Sequence, residues 1–165
     1  MRDSRDGQYD TAQICLNGHV INWRATSLPQ HNQKYCAECG RPTISACPNC
    51  NAPIRGYYRV SGGAGYFYNY NRRNYCHECG KPYPWTVASL EAARELAGEL
   101  KKLTAEEQEQ LKETLPDLVA KTPRTVVAET RFKRFMKKAG PEAYDGMKAI
   151  LTNVVSEAVR KSLFG

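Results

Sequence analysis

The sequence lacks the features of several large protein classes. It contains no apolar run long enough to cross a membrane, and its first ten residues, MRDSRDGQYD, have no apolar segment of a secretion signal. It also contains no nucleophile elbow, phosphate-binding glycine loop, paired-carboxylate motif or metalloprotease helix. These absences predict a cytoplasmic protein that is not an enzyme.

Cysteine is missing from residues 86–165, and all seven cysteines lie before them. Six stand in three C-x-x-C pairs, and the seventh is followed four residues later by a histidine, in CLNGH. An odd count and a reducing compartment argue against disulfides, whereas two thiolates at this spacing chelate one metal ion from a tight turn. The eight predicted ligands are Cys15, His19, Cys36, Cys39, Cys47, Cys50, Cys76 and Cys79.

Four units of two ligands provide for two tetrahedral ions. Zinc is the metal that this spacing favours, with iron as the main rival. The phrase YCAECGRP at 35–42 returns as YCHECGKP at 75–82, and another ligand unit precedes each copy. The repeat favours sequential pairing, in which the first two units share one ion and the last two share the other. The alternative is a RING-like cross-brace, which ranks lower because seven residues separate Cys39 from Cys47, more than a RING chain usually has.

The predicted fold is therefore a small, metal-bound α+β fold. Two tandem zinc ribbons of short β-hairpins occupy residues 1–85, and a bundle of about four helices occupies residues 86–165. Thr104 and Glu107 predict a capping box at the start of one of these helices.

Other helix boundaries are predicted from proline and glycine. Pro116 should stop a helix or start a short turn, because proline interrupts helical hydrogen bonding. Thr122 should cap the next helix, with Pro123 at its first position and Gly140 as its terminator. The last helix is predicted to run from about 141 to 163.

Arginines and aromatic residues alternate in RGYYRVSGGAGYFYNYNRRNY, residues 55–75. Unstacked nucleobases rest on such rings and guanidinium groups. A structural interpretation stays open, in which 54–60 and 66–70 are the strands of the second ribbon's hairpin and the tyrosines are half-buried. The candidate binding residues are Arg55, Arg59, Tyr66, Tyr68, Tyr70, Arg72 and Arg73.

A second basic cluster lies in residues 121–138, which hold seven basic groups and one acidic group. A cationic helix face can bind phosphates, and it can equally be a solvated face opposite a packed one. The candidate residues are Arg131, Lys133, Arg134, Lys137 and Lys138.

These patterns together predict a non-catalytic binding protein with two Zn²⁺ ions and nucleic acid, RNA above all, as its partner. The alternative is a protein-interaction adaptor that docks a partner protein or a second copy through its helical tail. A RING-like scaffold would require the cross-brace, and no membrane partner is expected.

The stretches AQICLNGHVI, CPNCNAPIRGYY and YCHECGKPYPWT resemble a bacterial zinc-ribbon family catalogued as domain of unknown function 2321. The resemblance is close over the N-terminal half and loose over the helical tail. It implies a bacterial cytoplasmic protein with a double zinc site, and it implies no activity.

Overall fold

The computed structural model describes residues 7–59 and 70–165, and the chain divides into two compact units, Met1–Trp85 and Thr86–Gly165. The strands are β1 (Gln8–Thr11), β2 (Gln13–Cys15), β3 (Val20–Asn22), β4 (Thr43–Ile44) and β5 (Arg55–Arg59). The helices are α1 (Pro84–Glu99), α2 (Ala105–Val119), α3 (Thr125–Ala139), α4 (Pro141–Leu151) and α5 (Glu157–Phe164). Within these described ranges, no helix has the length and hydropathy to span a membrane.

Short antiparallel strands and C-terminal helices confirm the predicted α+β class. Strands β3, β2 and β4 form one sheet in that order, and β1 pairs with β5 in a second. The predicted hairpin of 54–60 with 66–70 is corrected in part. Its first strand exists as β5, but β1 is the partner found among the described residues, and residues 66–69 lie outside them.

The pairing of β1 with β5 depends on a close backbone approach at Gly56. The Tyr57 amide donates to the Trp23 carbonyl at 2.8 Å, and the Ala12 amide donates to the Ile54 carbonyl at 2.8 Å. A Cβ atom on Gly56 would collide with the Trp23 carbonyl oxygen. Glycine is therefore required where three backbone segments meet.

The core of the N-terminal unit contains metal-ligand candidates as well as apolar side chains. Tyr83 stacks on Trp85 with ring centroids 4.7 Å apart, and both side chains are almost fully buried. The buried core residues are Ala12, Ile14, Cys47, Ile54, Cys76, Tyr83 and Trp85.

The helical unit has its own caps and core. The predicted capping box is present: the Thr104 amide donates to the Glu107 carboxylate at 2.8 Å, and the Glu107 amide donates to the Thr104 hydroxyl at 3.3 Å. Gly140 ends α3 with φ of 101°, a conformation that glycine adopts without strain. The side chains that α3 buries are Thr125, Ala128, Phe132, Phe135, Met136 and Ala139.

Two predicted helix boundaries are corrected. Pro116 lies inside α2, which continues to Val119 because Leu115 and Leu118 are buried on either side of the proline and hold the last turn in the core. Helix α3 begins at Thr125 rather than at Pro123.

The start of α3 is displaced because its predicted cap makes a turn. The Thr122 hydroxyl accepts the Arg124 amide at 3.2 Å, and the Thr122 amide donates to the Thr125 hydroxyl at 3.0 Å. These bonds close a turn before the helix rather than a first helical turn.

The predicted last helix is two helices, so the described tail has five rather than about four. Helix α4 ends at Leu151, and Ser156 begins α5 by accepting the Val159 amide on its hydroxyl at 3.3 Å. The break shifts the helical phase, so that Val159 is buried where an unbroken helix would bury Ala158.

Candidate metal centres

Three of the four ligand units fold as the same knuckle. In each, the amide of the first cysteine donates to the carbonyl five residues later, and the amide after the second cysteine donates back to the first cysteine's carbonyl. These bonds are Cys36–Arg41 and Gly40–Cys36 at 2.8 Å, Cys47–Ala52 and Asn51–Cys47 at 2.8 Å, and Cys76–Lys81 and Gly80–Cys76 at 2.9 Å.

A further backbone bond closes each knuckle two residues before the first cysteine. The bonds are Thr43–Lys34 at 3.3 Å, Ile54–Ser45 at 2.9 Å and Tyr83–Asn74 at 2.9 Å. A proline lies just inside each bond, at Pro42, Pro53 and Pro82, where the pairing uses no amide hydrogen. The repeated phrase therefore occurs a third time, as ACPNCNAP, which the sequence comparison of 35–42 with 75–82 missed.

The residue after the second cysteine has a left-handed backbone in every copy. Its φ is 70° at Gly40, 61° at Asn51 and 70° at Gly80. Asparagine tolerates this region better than other residues with a side chain. Asn51 is thus the signal that could have identified the third copy.

The remaining unit, Cys15 to His19, forms a related but longer turn. The Cys15 amide donates to the His19 carbonyl at 3.0 Å, and the Gly18 amide donates to the Cys15 carbonyl at 2.8 Å. The His19 amide also donates to the Cys15 Sγ at 3.2 Å. Gly18 has φ of 89°, which lets the imidazole return toward the sulfur.

The four units combine sequentially into two clusters, and the cross-brace does not occur. The first cluster contains Cys15, His19, Cys36 and Cys39, and the second cluster contains Cys47, Cys50, Cys76 and Cys79. Within each cluster the ligand atoms all lie within 4.8 Å of one another.

The first cluster has the dimensions of a tetrahedral site. Bonds of about 2.3 Å to sulfur and about 2.0 Å to nitrogen place two sulfurs about 3.8 Å apart and a sulfur and nitrogen about 3.5 Å apart. The Cys15 and Cys39 sulfurs are separated by 3.7 Å. The His19 Nδ1 atom lies 3.5 Å from the Cys15 sulfur and 3.5 Å from the Cys36 sulfur.

The second cluster fits the same tetrahedron with four sulfurs. The Cys47 and Cys79 sulfurs are 3.8 Å apart, and the Cys50 and Cys76 sulfurs are 3.6 Å apart. These pairs are opposite edges of the cluster, so the four atoms surround a single point. Both clusters could therefore hold one metal ion each.

Backbone amides stabilise several of the sulfurs as thiolates. The Arg41 amide is the main cause that lowers the pKa of Cys39 to about 6. The Cys79 amide acts in the same way on Cys76, whose pKa is lowered to about 6. The Lys81 amide lowers the pKa of Cys79. Donors that favour the charged form prepare these sulfurs to bind a cation.

Other sulfurs in the clusters resist ionisation. Burial raises the pKa of Cys15. At Cys50 the Ala52 amide acts to lower the pKa, but desolvation and the neighbouring sulfurs outweigh it and raise the value to about 12. Four sulfurs this close cannot all carry a charge unless a cation compensates them.

The histidine of the first cluster also contacts a carboxylate. Its Nδ1 atom faces the sulfurs, and its Nε2 atom lies 3.7 Å from the Glu38 carboxylate. A hydrogen bond to a carboxylate at this ring nitrogen orients the imidazole in many metal sites and fixes its tautomer, and Glu38 is the residue placed to form it. In the second cluster the corresponding Glu78 instead lies 3.4 Å from His77, which is not among the ligands.

The comparison with protein families gives a match over nearly the whole chain. Residues 8–163 match a family described as "Uncharacterized protein conserved in bacteria" (DUF2321). The chain belongs to this family. No curated protein and no solved structure matches the chain. The DUF2321 match covers both clusters and nearly the whole helical unit, and it assigns no activity to either.

Two of the predicted binding residues of this DUF2321 chain are half-buried and bonded to the backbone of the N-terminal unit. Burial raises the pKa of Tyr70 to about 12, and its hydroxyl donates to the Arg55 carbonyl at 2.8 Å. The Arg72 guanidinium donates to the Gly18 carbonyl and lies 5.8 Å from the centre of the Trp85 ring. Tyr70 thus supports β5, and Arg72 supports the turn of the first cluster.

The other predicted residues of this stretch are distributed differently. Arg55, Arg59 and Arg73 are exposed. Arg59 lies 3.9 Å from the buried carboxylate of Asp10, so part of its charge is compensated. Tyr66 and Tyr68 lie outside the described residues.

The five predicted cations of α3 are all exposed, but they are not equally available. Lys138 forms an ion pair with Glu107 at 2.7 Å, and Lys133 donates to the Ser162 hydroxyl at 3.0 Å. The Arg134 guanidinium lies 4.9 Å from the centre of the Phe135 ring. Arg131 and Lys137 are exposed on the same helix.

Sequence reasoning missed a pair of aromatic residues that the fold brings together. Tyr9 lies opposite Tyr58 in the β1–β5 pair, their ring centroids are 4.8 Å apart, and the side chains are 45% and 42% exposed. The Arg55 guanidinium lies 4.7 Å from the Tyr9 ring centroid. The only available signal was that Tyr9 begins an alternating segment, YDTAQI, which predicts a strand.

Proposed function

We propose that this protein is a non-catalytic module that carries two zinc ions and binds single-stranded nucleic acid, RNA above all, through its N-terminal unit. Thiolate-rich tetrahedral clusters are typical of zinc. Each cluster contains four protein ligands, which leaves no open position for a substrate or an activated water. This filled coordination favours structural ions over catalytic ones.

The zinc content can be measured directly. Elemental analysis of protein freshly purified under reducing conditions should give two zinc ions per chain. Variants with Cys36→Ser or Cys76→Ser should each lose at least one ion. Iron in place of zinc would correct the metal, and fewer than two ions would contradict the two-site proposal.

The observation that carries the nucleic-acid proposal is the exposed Tyr9–Tyr58 pair with two arginines beside it. We call this the aromatic–basic face and define it by Tyr9, Arg55, Tyr58 and Arg73. Exposed rings on a strand pair offer stacking surfaces to unstacked bases, as they do in other single-strand binding proteins. Arginines next to the rings supply charge for the phosphates.

The charge of the N-terminal unit agrees with an anionic partner. Residues 1–85 contain ten Lys and Arg residues against five Asp and Glu residues. One of the acidic residues, Asp10, is buried and accepts the amides of Thr11 and Thr26 at 2.7 and 3.0 Å. Its charge is therefore directed inward, away from the aromatic–basic face.

Fluorescence anisotropy with a labelled single-stranded RNA of about 12 nucleotides tests the proposal. Affinity should fall as salt rises, with a slope of about 0.7 per phosphate contact. Tyr9→Leu should weaken binding by about 1–3 kcal/mol, and this loss should persist at high salt because stacking is not screened. Tyr35→Leu, at an exposed ring of the second ligand unit, is the matched control. No binding at low salt, or equal loss in both variants, would contradict the proposal.

A protein-interaction adaptor remains the second candidate because of one apolar feature of the helical unit. Val126 is 71% exposed and Val127 is 46% exposed at the start of α3. Sedimentation at increasing concentration tests self-docking through this surface. A concentration-dependent dimer that Val126→Ser abolishes, in a protein that binds no RNA, would favour the adaptor.

A further inference from the structure

The N-terminal unit contains a cavity of about 500 Å³ whose lining includes all four residues of the aromatic–basic face. This volume lies within the range of about 300–1,000 Å³ that is typical of small-molecule sites. Ile54, Gly56 of β5 and the ring of Tyr83 line it, and all three residues are buried.

The lining of the cavity is aromatic and partly fixed in position. Tyr83 is stacked on Trp85, and Tyr70 is stacked on Trp23 with a centroid distance of 6.4 Å and an angle of 19° between the rings. The Tyr70 hydroxyl is bonded to a backbone carbonyl. Side chains fixed in this way lose little conformational entropy when a flat ring binds beside them.

The charges at the cavity select for an anion. Arg55 and Arg73 line it, and no Asp or Glu is among the described lining residues. Planar guanidinium groups form paired hydrogen bonds with phosphate oxygens. The lining of the cavity thus combines flat aromatic surfaces with two cationic side chains.

We propose that this cavity binds one nucleotide unit, with its base against the tyrosine rings and its phosphate paired with Arg55 or Arg73. This inference rests on the proposed function in one respect: the bound unit is taken to be one unstacked nucleotide of an RNA strand. A free nucleoside monophosphate has the same chemistry and is the other source. The rings and arginines of the aromatic–basic face then form part of the wall that this nucleotide contacts.

Titration with small ligands tests the chemistry of the cavity. Intrinsic fluorescence should change on addition of a nucleoside monophosphate, and the matching nucleoside and inorganic phosphate should each bind at least about tenfold more weakly, because each lacks one of the two recognised parts. Phosphate that binds as tightly as the nucleotide would overturn the proposal, because the rings would then contribute nothing.

Variants of the lining locate the binding. Tyr58→Leu should weaken binding of the nucleotide by at least about fivefold, and Arg73→Gln should weaken it about tenfold. Asn71→Trp should block the cavity, because Asn71 is an exposed lining residue at which a large ring would occupy the space. Tyr35→Leu and Arg41→Gln, at exposed positions outside the lining, should bind as the parent does. Zinc content and melting temperature show that each variant is folded.

The same variants separate this inference from the proposed function. If the RNA of about 12 nucleotides binds, loses affinity in Tyr9→Leu and binds to Asn71→Trp as tightly as to the parent, the cavity inference is wrong and the proposed function stands. If the nucleotide binds in the cavity but the RNA binds no more tightly, the free nucleotide is the ligand and the proposed function is wrong. If neither ligand binds, both are wrong.

Discussion

The two clusters have the same knuckles and different surroundings. Cys47 and Cys76 of the second cluster belong to the core that contains Tyr83 and Trp85. The cysteines of the first cluster do not belong to that core, although Cys15 and Cys36 are as buried as Cys47 and Cys76. The same knuckle therefore forms part of an apolar core in the second cluster, whereas in the first cluster it lies outside that core.

The clusters also differ in charge. A divalent ion leaves a site of four thiolates with two negative charges, and it leaves the site with His19 with one. Only the second cluster therefore requires four sulfurs to ionise together. Contact with the apolar core and charge together predict that the second ion matters more for stability and depends more strongly on protons.

The largest expected difference is between Cys76→Ser and Cys36→Ser. Cys76→Ser should abolish cooperative unfolding of the N-terminal unit, because metal binding supplies much of the folding free energy of such domains and this ion is adjacent to the core. Cys36→Ser should lower the melting temperature and expose residues 12–42 to protease, while the second cluster keeps its ion. Thermal melts, elemental analysis and limited proteolysis measure these effects.

The helical unit provides the control for this comparison. It has its own capping box and buried core, so its circular dichroism at 222 nm should be about the same in both variants. Equal losses of stability in the two variants would contradict the larger contribution of the ion beside the core.

The next largest expected effect is the pH dependence of metal binding at the second cluster. Near neutral pH the metal-free Cys50, with a pKa raised to about 12, is a thiol, whereas Cys76, with a pKa lowered to about 6, is mostly a thiolate. Binding must remove the proton from Cys50, so metal affinity falls as the pH falls, by about tenfold per pH unit for each proton released. Below about pH 6 Cys76 also takes up a proton, and the fall becomes steeper.

The Cys36→Ser variant isolates the second cluster for this measurement. Adding zinc to its metal-free form with a pH indicator should release at least one proton per ion. Competition with a chromogenic chelator at several pH values gives the slope. An affinity that does not change between weakly acidic and weakly basic solution would contradict the assigned ionisation.

A smaller effect distinguishes the two glutamates of the repeat. Glu38→Gln should weaken the first site, by at most about tenfold, because its carboxylate orients the His19 ring but is well exposed. Glu78→Gln, at the same place in the other copy, should leave both affinities unchanged because the Glu78 carboxylate contacts His77, which is not among the ligands. Chelator competition on both variants measures the difference, and equal effects would show that the His19 contact does not stabilise the site.

The smallest expected effect tests the left-handed residue of the knuckle. A Cβ atom on Gly40 would meet no atom within 4 Å, so Gly40→Ala changes the backbone energy alone and should cost about 1 kcal/mol. Gly40→Asn should cost less, because the third knuckle already has Asn51 at this position. Melting temperatures measure both. A larger loss for asparagine than for alanine would contradict the role assigned to Asn51.

The ligands and their pairing could be predicted because the information is local. Each knuckle is coded by residues a few positions apart, and the order of units along the chain favoured the sequential arrangement. The capping box at Thr104 and the terminator at Gly140 were predictable for the same reason, since a helix end depends on its nearest neighbours.

The features that could not be predicted depend on residues far apart in the chain. The partner of β5 is set by the close approach of Trp23 and Gly56, which no local pattern records. Burial of Leu118 carries α2 past Pro116 against the local preference. The aromatic–basic face arises only when β1 meets β5, so a search of 55–75 alone could not include Tyr9.

Every backbone bond of a knuckle closes within ten residues, from two before the first cysteine to seven after it. Such a segment can be copied to another place in a gene and still fold there, since it needs only a second segment to complete the ion's shell. Substitutions at the positions other than the two cysteines then change the residues around the metal site and leave its sulfur ligands unchanged. The three copies in this chain, one with alanine and asparagine in place of tyrosine and glycine, have the form that repeated duplication and divergence of such a segment would produce.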